Sequence, residues 1–469
     1  MRLATIVTCI LLALAASSRA SAAQDVPSQL TDAGAATQNG KRQLTLDEAI
    51  RTGIEQSPLI QASQHGVEET EAVTKQIESI NYPQVRGALT QTSGNTRVLS
   101  NLGISGSLPK ATNALTNLGG RADLLITDFG RTAHRLLANK ALTAAAQKDV
   151  LTNKAVVILN VQHAYLNCLK QQRLVQIIEA TLRQRQLIRD QAETYYKNQL
   201  RAKLDFDLAA VEVAKAELAL LRATNDLKVA VAELNYAMGN SGQVDYQFAE
   251  VPLPDTSPAA DDTALETLFR QGLEHRPELL ASQDRIQATE EALKAARALN
   301  FGTISGIATT GITYYNKPPF AGVAGSEGKS QADGQNIRWY GAGLVTSTPL
   351  FTGFRIEGQI EEAQARQDEA RATTRSIAND IILQIAQASL TRQTAAQQIS
   401  VAQAKLEHAH EMLGLARERY KRGLGSILDV TVATVEVLNA DTTVAETQYD
   451  YRASEVALAY ALGSEYARY

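Results

Sequence analysis

The chain has 469 residues and a formal net charge of −4, and 44% of its residues are hydrophobic although only 5% are aromatic. No basic patch stands out, so a nucleic-acid partner is not expected. Small aliphatic residues, chiefly alanine, carry the apolar share, which is typical of closely packed helices rather than of a large globular core.

The first residues have the pattern of a secretory signal. Arg2 supplies the positive end, an apolar run follows over residues 4–16, and Ala20-Ser21-Ala22 fits a cleavage site of small residues. We predict a signal peptide over 1–22 and a linker over 23–43, without a lipid anchor because no cysteine lies near the cleavage point. No later apolar run reaches 18 residues, so the sequence predicts a periplasmic or secreted protein or a β-barrel, not a helical membrane protein.

An internal duplication organises the rest of the chain. Residues 49–64 (AIRTGIEQSPLIQASQ) match 268–283 (LFRQGLEHRPELLASQ), 219 positions later. Residues 196–213 match 420–437 at an offset of 224, through shared Tyr-Lys, Leu-Asp and Val-Glu-Val runs. A repeat of this length indicates two copies of one structural unit. The predicted divisions are a first repeat at 44–239, an equatorial linker at 240–263 and a second repeat at 264–469.

Each copy is predicted to contain a long helical hairpin. From Arg131 to Met238 there is neither proline nor glycine, and apolar residues recur at helical spacing. A single helix of that length would reach about 160 Å, so we expect a turn, and residues 423–426 (GLGS) show it in the second copy. The offset places the first turn at 199–202. The predicted helices are Leu46–Asn81, Arg131–Lys197 and Asp205–Met238, and then Ala264–Asn300, Arg355–Arg422 and Ile427–Leu462.

A stretch rich in glycine, threonine and aromatic residues separates the shorter helix from the long one in each copy. Residues 302–315 and 338–351 have the length of a tilted membrane strand, and 83–95 and 119–128 are their counterparts. The strands therefore lie within about 83–128 and about 302–351. Their aromatic residues form two end clusters, as at the two interfaces of an outer-membrane barrel, although packing in a soluble sheet stays an alternative. The residues assigned to the membrane interfaces are Tyr314, Tyr315, Trp339, Tyr340, Phe301 and Phe351.

Strand counting bears on the oligomeric state. Two hairpins give four strands, whereas a barrel needs about eight or more, and open sheet edges are not tolerated in lipid. The chain is therefore expected to oligomerise. Three copies would give twelve strands, and the count alone also permits a dimer.

Three kinds of short motif occur in both copies. Pro58 and Pro277 follow matching helical segments, the strand-to-helix junctions read ITDFGR (126–131) and LFTGFR (350–355), and the second helical turn reads YKRGLGSILDV (420–430). On these motifs the chain resembles the TolC-like outer-membrane efflux proteins, the outer membrane factors, over nearly the whole mature sequence.

The resemblance implies a fold and a function. The fold would be mainly α with a small transmembrane β part, a homotrimer with a 12-stranded β-barrel and a periplasmic α-helical barrel. The chain would be the outer-membrane channel subunit of a tripartite efflux or type I secretion system, gated at its periplasmic tip. The implied partners are a periplasmic adaptor (membrane fusion) protein, an inner-membrane pump of RND or ABC type, and outer-membrane lipid.

The resemblance also assigns site residues. Tyr420 and Asp205 match a hydrogen-bonded pair that ties neighbouring hairpins in the closed state, and Asp429 matches an entrance carboxylate. These three form the expected periplasmic gate. Three features depart from the family: Gly425 stands where a tip arginine is expected, Val432 stands where a second acidic residue is expected, and the first-copy tip reads Asn198-Gln199-Leu200 without the glycine. The expected adaptor-docking tip consists of Leu200, Gly423 and Leu424.

The entrance carboxylate also has a physical interpretation that does not depend on the family. Three copies of Asp429 around a narrow axis would repel one another and favour cations. Asp205 and Asp429 each follow a turn, however, so a role as helix N-cap is an equal alternative. The two roles are compatible.

No catalytic constellation is found, so we predict no enzyme activity, no cofactor and no metal site. The six histidines are scattered, and no phosphate-binding glycine loop lies between a strand and a helix. Cys9 leaves with the signal, so Cys168 has no partner for an internal disulfide. A periplasmic or surface coiled-coil spacer or adhesin is the alternative function, and it leaves the duplicated hairpins unexplained.

Overall fold

A computed structural model describes residues 42–96, 111–240, 246–254, 264–315 and 336–464 of the chain. The predicted signal peptide and nearly all of the predicted N-terminal linker lie outside these ranges. The described residues form two units, a small one with residues 42–43 and 246–247 and a large one with all the others. None of the helices in these ranges has an apolar stretch long enough to cross a membrane.

The duplication is visible in the lengths of the helices. The first copy has α1 (Leu46–Gln56, 11 residues), α2 (Pro58–Glu78, 21), α3 (Arg131–Lys197, 67) and α4 (Lys203–Ala237, 35). The second copy repeats the same four lengths in α5 (Leu265–His275), α6 (Pro277–Arg297), α7 (Arg355–Lys421) and α8 (Ile427–Ala461). A short 3₁₀ turn follows both α2 and α6.

Each long helix packs against one helix that returns along it and two that precede it. At 1.5 Å per residue α3 and α7 are about 100 Å long, and their return helices about half that. Helix α4 packs on α3, and α1 and α2 pack on α3 as well, while α8, α5 and α6 do the same on α7. The shorter helices thus cover the part of each long helix that the return helix leaves exposed.

The predicted helices Leu46–Asn81 and Ala264–Asn300 are each interrupted near their first third. Ser57 and Arg276 have extended backbone conformations, and Pro58 and Pro277 then occupy the first position of a new helix. A proline disfavours the helical conformation in the residue before it and lacks the N–H that a continuing helix needs. The predictions of single helices were wrong at these points.

Small side chains allow the return helices to approach their partners closely. In α4 the buried alanines 209, 216, 223 and 230 recur every seven residues. The equivalent positions in α8 are Ala433, Ala440, Thr447 and Ser454, and all but Thr447 are buried. A strict seven-residue repeat keeps one seam of a helix facing its neighbour when the two supercoil. Alanine at that seam brings the two backbones close together.

The strands β2 (Gln84–Thr96), β3 (Ala111–Thr127), β5 (Thr303–Tyr315) and β6 (Asn336–Ser347) form one antiparallel sheet. Their order is β2-β3-β5-β6, so β3 and β5 join the hairpins of the two copies. Strand β3 begins eight residues before its predicted start at 119. Its early residues, such as Thr112 and Asn113, are polar and gave no apolar signal, but they pair in register with β2.

Two very short strands, β1 (Arg42–Leu44) and β4 (Tyr246–Phe248), form a separate two-stranded sheet. Tyr165 of α3 is fully buried, and its hydroxyl lies 2.9 Å from the carbonyl oxygen of Leu44 and 2.8 Å from that of Ala249. Burial raises the pKa of the Tyr165 phenol to about 12, so it stays a neutral donor. Phe248 packs edge-on against its ring. Tyr165 thereby holds two segments against α3: the one that enters the first copy and the one that leaves it.

The Tyr165→Phe variant is expected to be less stable by about 1–3 kcal/mol, because one buried and one partly buried carbonyl oxygen lose their hydroxyl neighbour. The midpoint of urea unfolding followed by circular dichroism measures this. Tyr236→Phe is the matched control, since Tyr236 is 87% exposed and surface changes usually stay within about 0.5 kcal/mol. Equal midpoints for the two variants would contradict the assigned role of Tyr165.

Candidate gate at the helical turns and the two faces of the sheet

The two turns between long and return helices present matching exposed leucines. Leu200 in the first turn is 68% exposed and Leu424 in the second is 70% exposed. Leu204 and Leu428, also at equivalent positions, are 65% and 59% exposed. Large apolar side chains held in solvent on both turns are characteristic of a contact surface for another protein. The predicted docking residues thus lie on the outside of the turns.

The same turn is built with glycine in one copy and without it in the other. Gly423 has a φ of +78°, and Gln199 occupies the equivalent position with a φ of +55°. In both turns this residue donates to the carbonyl three residues before it, and the following leucine donates to the carbonyl five residues before it. This hydrogen-bond pattern ends a helix in a left-handed residue, for which glycine is favoured. The absence of glycine from the first turn therefore did not prevent the same geometry.

Asp429 closes the start of α8 through a capping box. The Ser426 amide donates to Asp429 Oδ2 at 2.9 Å, and the Asp429 amide donates to Ser426 Oγ at 3.2 Å. Asp429 is exposed and is the third residue of the helix, so the cap itself is Ser426. The N-cap alternative was therefore wrong for Asp429, which takes part in the capping box from the third helical position.

Asp205 occupies the same helical position but makes no capping box. The residue three positions before it is Ala202, which has no side-chain oxygen to offer, and α4 has no side-chain cap. The Asp205 amide donates to the Ala202 carbonyl at 3.1 Å instead. The Asp205 carboxylate consequently takes no part in capping its helix, unlike that of Asp429. It is partly buried and lies near Tyr420.

Tyr420, the last buried residue of α7, lies in an apolar cluster at the inner end of the hairpins. It is 3% exposed, and its ring centroid is 6.1 Å from that of Tyr195 on α3. Burial raises the pKa of the Tyr420 phenol, the negative charge of Asp205 raises it further, and Arg201 opposes both. Among the residues that the structure describes, the buried hydroxyl makes no hydrogen bond of ordinary length and angle, but the Asp205 carboxylate lies close enough to raise the pKa of the phenol as an acceptor too. The structure therefore brings the predicted pair Asp205 and Tyr420 together, whereas Asp429 is not joined to either.

Arg201 is the residue at this site that the sequence reasoning missed. Its Nη2 donates to the Tyr420 carbonyl at 3.2 Å, and its guanidinium lies 5.0 Å from the centroid of the Tyr420 ring. The sequence held one signal, because the 224-residue offset makes Arg201 the equivalent of Gly425. Val432 is half exposed on the first turns of α8.

One face of the sheet carries most of its charged side chains, and the other carries most of its large apolar ones. Residues paired across antiparallel strands share a face, and successive residues alternate between faces. Asp123 accepts from Arg86 and from Arg121 at 2.8 Å each, and these three lie on one face. The other polar residues of this face include Gln84, Asn117, Thr309 and Thr313, and the face also holds the apolar Leu125, Ile307 and Val345. The opposite face carries Val85, Leu89, Leu118, Leu124, Ile304, Ile312, Ala342 and Leu344, with the polar exceptions Gln91, Thr116, Thr310, Arg338 and Thr346.

The predicted interface aromatics do not all share a face. Tyr314 and Tyr340 belong to the apolar face, and Tyr340 is 90% exposed. Trp339 belongs to the polar face, where its Nε1 donates to Thr313 Oγ1 at 3.3 Å. The side chain of Tyr315 lies outside the described residues. Trp339 therefore does not face the same surroundings as Tyr340, since adjacent strand residues point to opposite sides.

The remaining two aromatics lie beside the strand-to-helix junctions. Phe301 is 60% exposed and packs 5.9 Å from Phe129, and Phe351 is 80% exposed and packs 6.0 Å from Phe354. Phe129 and Phe354 both have positive φ, next to a glycine that also has positive φ. The duplicated junctions thus hold aromatic rings in solvent at one end of the sheet.

Comparison with known proteins decides the family. Residues 49–240 and 268–464 match the family described as outer membrane efflux protein. The chain belongs to the outer membrane efflux protein family. It is 24% identical over 443 residues to the cation efflux system protein CusC of Escherichia coli, which covers 90% of this chain and 88% of that protein.

Solved structures have the same fold. The outer-membrane channel OprN superposes with a TM-score of 0.74 at 19% identity, over 90% of each chain. The outer membrane protein VceC of Vibrio cholerae superposes with a TM-score of 0.72 at 21% identity, over 89% of this chain and 96% of that one. The predicted fold class is confirmed.

The protein is thus an outer-membrane efflux channel subunit of a tripartite system, with a large periplasmic helical part, and the coiled-coil spacer or adhesin is set aside. Its family transports substrates through a channel. Within the described ranges, no group of three or more His, Cys, Asp or Glu side chains is placed to hold a metal ion.

Introducing a serine at Ala202 is expected to create in the first copy the capping box that the second copy has. An N-cap serine is worth about 1 kcal/mol, which corresponds to roughly fivefold slower amide exchange in the first turn of α4. Hydrogen exchange read by mass spectrometry over residues 203–210 measures it. Ser426→Ala is the converse variant and is expected to speed exchange over 427–434 by a similar factor. Unchanged exchange in both segments would contradict the capping assignment.

Proposed function

We propose that three copies of the chain close one channel, with β6 of each copy paired to β2 of the next. In the part of the chain that the structure describes, β2 and β6 each have one strand partner, so both expose an edge. An open edge in lipid leaves backbone groups without hydrogen bonds, and four strands are too few to close a barrel. Three copies give twelve strands, in a homotrimer surrounded by outer-membrane lipid.

The unequal distribution of charged and large apolar side chains between the two faces of the sheet is the observation that carries this proposal. A channel wall needs one face for lipid and one for water, with alternate residues of each strand serving them. The face with Leu89, Leu118 and Leu344 turns to lipid, and the face with Arg86, Arg121 and Asp123 lines the water-filled lumen. Tyr340, Phe301 and Phe351 then lie at the membrane interfaces, and Trp339 lies inside the lumen.

The helical turns form the entrance at the periplasmic end. Three copies of the exposed Asp429 carboxylate ring the opening and favour cations. Asp205 and Tyr420 lie where the two hairpins of one chain meet, so their separation accompanies opening of the entrance. The capping box and the ring can use the same Asp429 carboxylate, because only one of its oxygens bonds the Ser426 amide and the residue is exposed.

The exposed tips receive the adaptor. Leu200 and Leu424 present apolar side chains on both turns of every chain, and Gly423 lies beside Leu424 in the second turn. A periplasmic adaptor protein docks there and joins the channel to an inner-membrane pump of RND or ABC type. The system moves substrate from the periplasm or the pump to the outside.

Replacing the entrance carboxylate is expected to reduce cation preference. The Asp429→Asn variant removes three charges from the opening, so the ratio of cation to anion permeability falls by roughly twofold or more at low salt. The effect shrinks at 1 M salt, where the Debye length is about 3 Å. Reversal potentials in planar bilayers give the ratio. Asp226→Asn, which removes an exposed charge in the middle of α4, is the control, and equal ratios for both variants would contradict an entrance ring.

A charge on the lipid-facing side of the sheet is expected to prevent assembly. Leu344→Arg places a cation in hydrocarbon at a cost on the order of 2 kcal/mol per copy, so the yield of outer-membrane trimer falls. Ser305→Arg is the matched control, because Ser305 pairs with the neighbour of Leu344 and lies on the polar face. Fractionation on sucrose gradients and crosslinking measure the trimer. Normal assembly of Leu344→Arg, or equal loss in Ser305→Arg, would contradict the assignment of faces.

A further inference from the structure

Arg201 makes two contacts with one residue of the other hairpin. Its Nη2 donates to the Tyr420 carbonyl at 3.2 Å, and its guanidinium lies 5.0 Å from the centroid of the Tyr420 ring. The side chain of Arg201 is partly buried by this arrangement. Arg201 belongs to the turn after α3 and Tyr420 to the end of α7, so the contact joins the two helical hairpins of one chain at their tips. We call this pair the inter-hairpin contact.

The end of α7 is a favourable place for a guanidinium. The last carbonyls of a helix have no intrahelical partner and carry partial negative charge. The Tyr420 carbonyl accepts from the Gly423 amide at 3.1 Å, and its second lone pair is available to Arg201. Arg201 approaches next to Gly423, where an added Cβ would lie 3.9 Å from its Nη2. The hydrogen bond, the contact with the aromatic ring and the partial negative charge of the helix end thus all favour this position of the Arg201 side chain.

The duplication shows that the arginine is specific to one turn. Offset 224 makes Gly425 the equivalent of Arg201, and a Cβ at Gly425 would lie 3.1 Å from the Arg419 Cβ and 3.3 Å from the Tyr420 nitrogen. A side chain at this position of the second turn would therefore be crowded against the end of α7, whereas the first turn accommodates an arginine. The equivalent of Tyr420 in the first copy is Tyr196, which is 41% exposed.

Any movement that separates the two hairpin tips must break the inter-hairpin contact. Tyr420 is buried, its ring also faces Tyr195, and Arg201 covers it from the opposite turn. A guanidinium over a shielded aromatic ring and a charged hydrogen bond to a helix end each resist separation. Neither contact requires the Tyr420 hydroxyl, which in the described structure lies near the Asp205 carboxylate without a hydrogen bond of ordinary geometry.

We propose that Arg201 is the residue that holds the entrance closed, by fastening the first helical turn to Tyr420 of the second hairpin. Arg201 places a positive charge on the first turn, whereas the equivalent position of the second turn is Gly425 and has no charge. The proposal rests on the proposed channel function and adds a positioning residue to it. Arg201 acts through Tyr420 and needs no contact with the transported substrate.

Single-channel recording in planar bilayers tests the proposal. Arg201→Ala is expected to raise the ratio of open to closed time about tenfold, the equilibrium change that corresponds to loss of one charged hydrogen bond. Arg422→Ala is the matched control, because it removes the same charge from the other turn. The Arg422 side chain is 74% exposed, and its ion pair, from Nη2 to Glu418 Oε2, is long at 3.9 Å. Arg201→Lys keeps the charge but loses the planar group, and it is expected to open more than the wild type.

A double-variant cycle separates the contact from a general effect on the tip. Tyr420→Leu removes the ring and keeps the backbone carbonyl, so Arg201→Ala combined with Tyr420→Leu is expected to open less than the product of the two single effects. Assembly is checked by the yield of crosslinked trimer, which is expected to be unchanged. If Arg201→Ala does not assemble, the comparison of Arg201→Lys with Arg422→Ala carries the test.

Two results would overturn the proposal. Channels of Arg201→Ala that gate like the wild type would show that the contact does not hold the entrance closed. Equal opening in Arg422→Ala would show that charge at the tip matters and the contact does not. A wild-type protein that forms no conducting pore would instead reject the channel proposal, and this is seen before any variant is compared.

Discussion

Each long helix is about twice as long as the helix that returns along it, and much of the architecture follows from this mismatch. An apolar stripe on half of a 67-residue helix has to be covered by other elements. Helices of 11 and 21 residues cover it in both copies, and they approach closely because Gly53 and Gly272 leave no side chain between the helices. The sheet is consequently joined to one end of the long helices, and the turns lie at the other.

The two copies agree in the lengths of their elements and differ at the tips. Gly423 and Gln199 build one turn geometry with different residues. Ser426 retains Asp429 in a capping box, whereas Ala202 leaves Asp205 without one. The lengths of the helices are the same in both copies because side-chain packing constrains the helices along their whole length. The tips are exposed, so substitutions there were compatible with the fold and could give the two hairpins unlike roles in one contact.

Most of the fold could be predicted because glycine and proline mark the element boundaries. The ends of α3 and α7 were predicted to within one residue, since junction motifs begin these helices and the glycine of the second turn locates their ends. The interruption at Ser57 was missed although Pro58 signalled it. The opposite faces of Trp339 and Tyr340 follow from strand alternation and needed no structure, so grouping them overlooked a signal that was present.

The candidate site was predictable in part. The sequence by itself determined the duplication, the helix lengths, the positions of both turns and the placement of Asp205, Tyr420 and Asp429 beside them, because these depend on local residue types and on spacing. Only the tertiary structure decided that Arg201 meets Tyr420 and that Asp205 approaches the Tyr420 hydroxyl. Residues some 200 positions apart meet according to how the two hairpins pack, and no local preference of either segment specifies that packing.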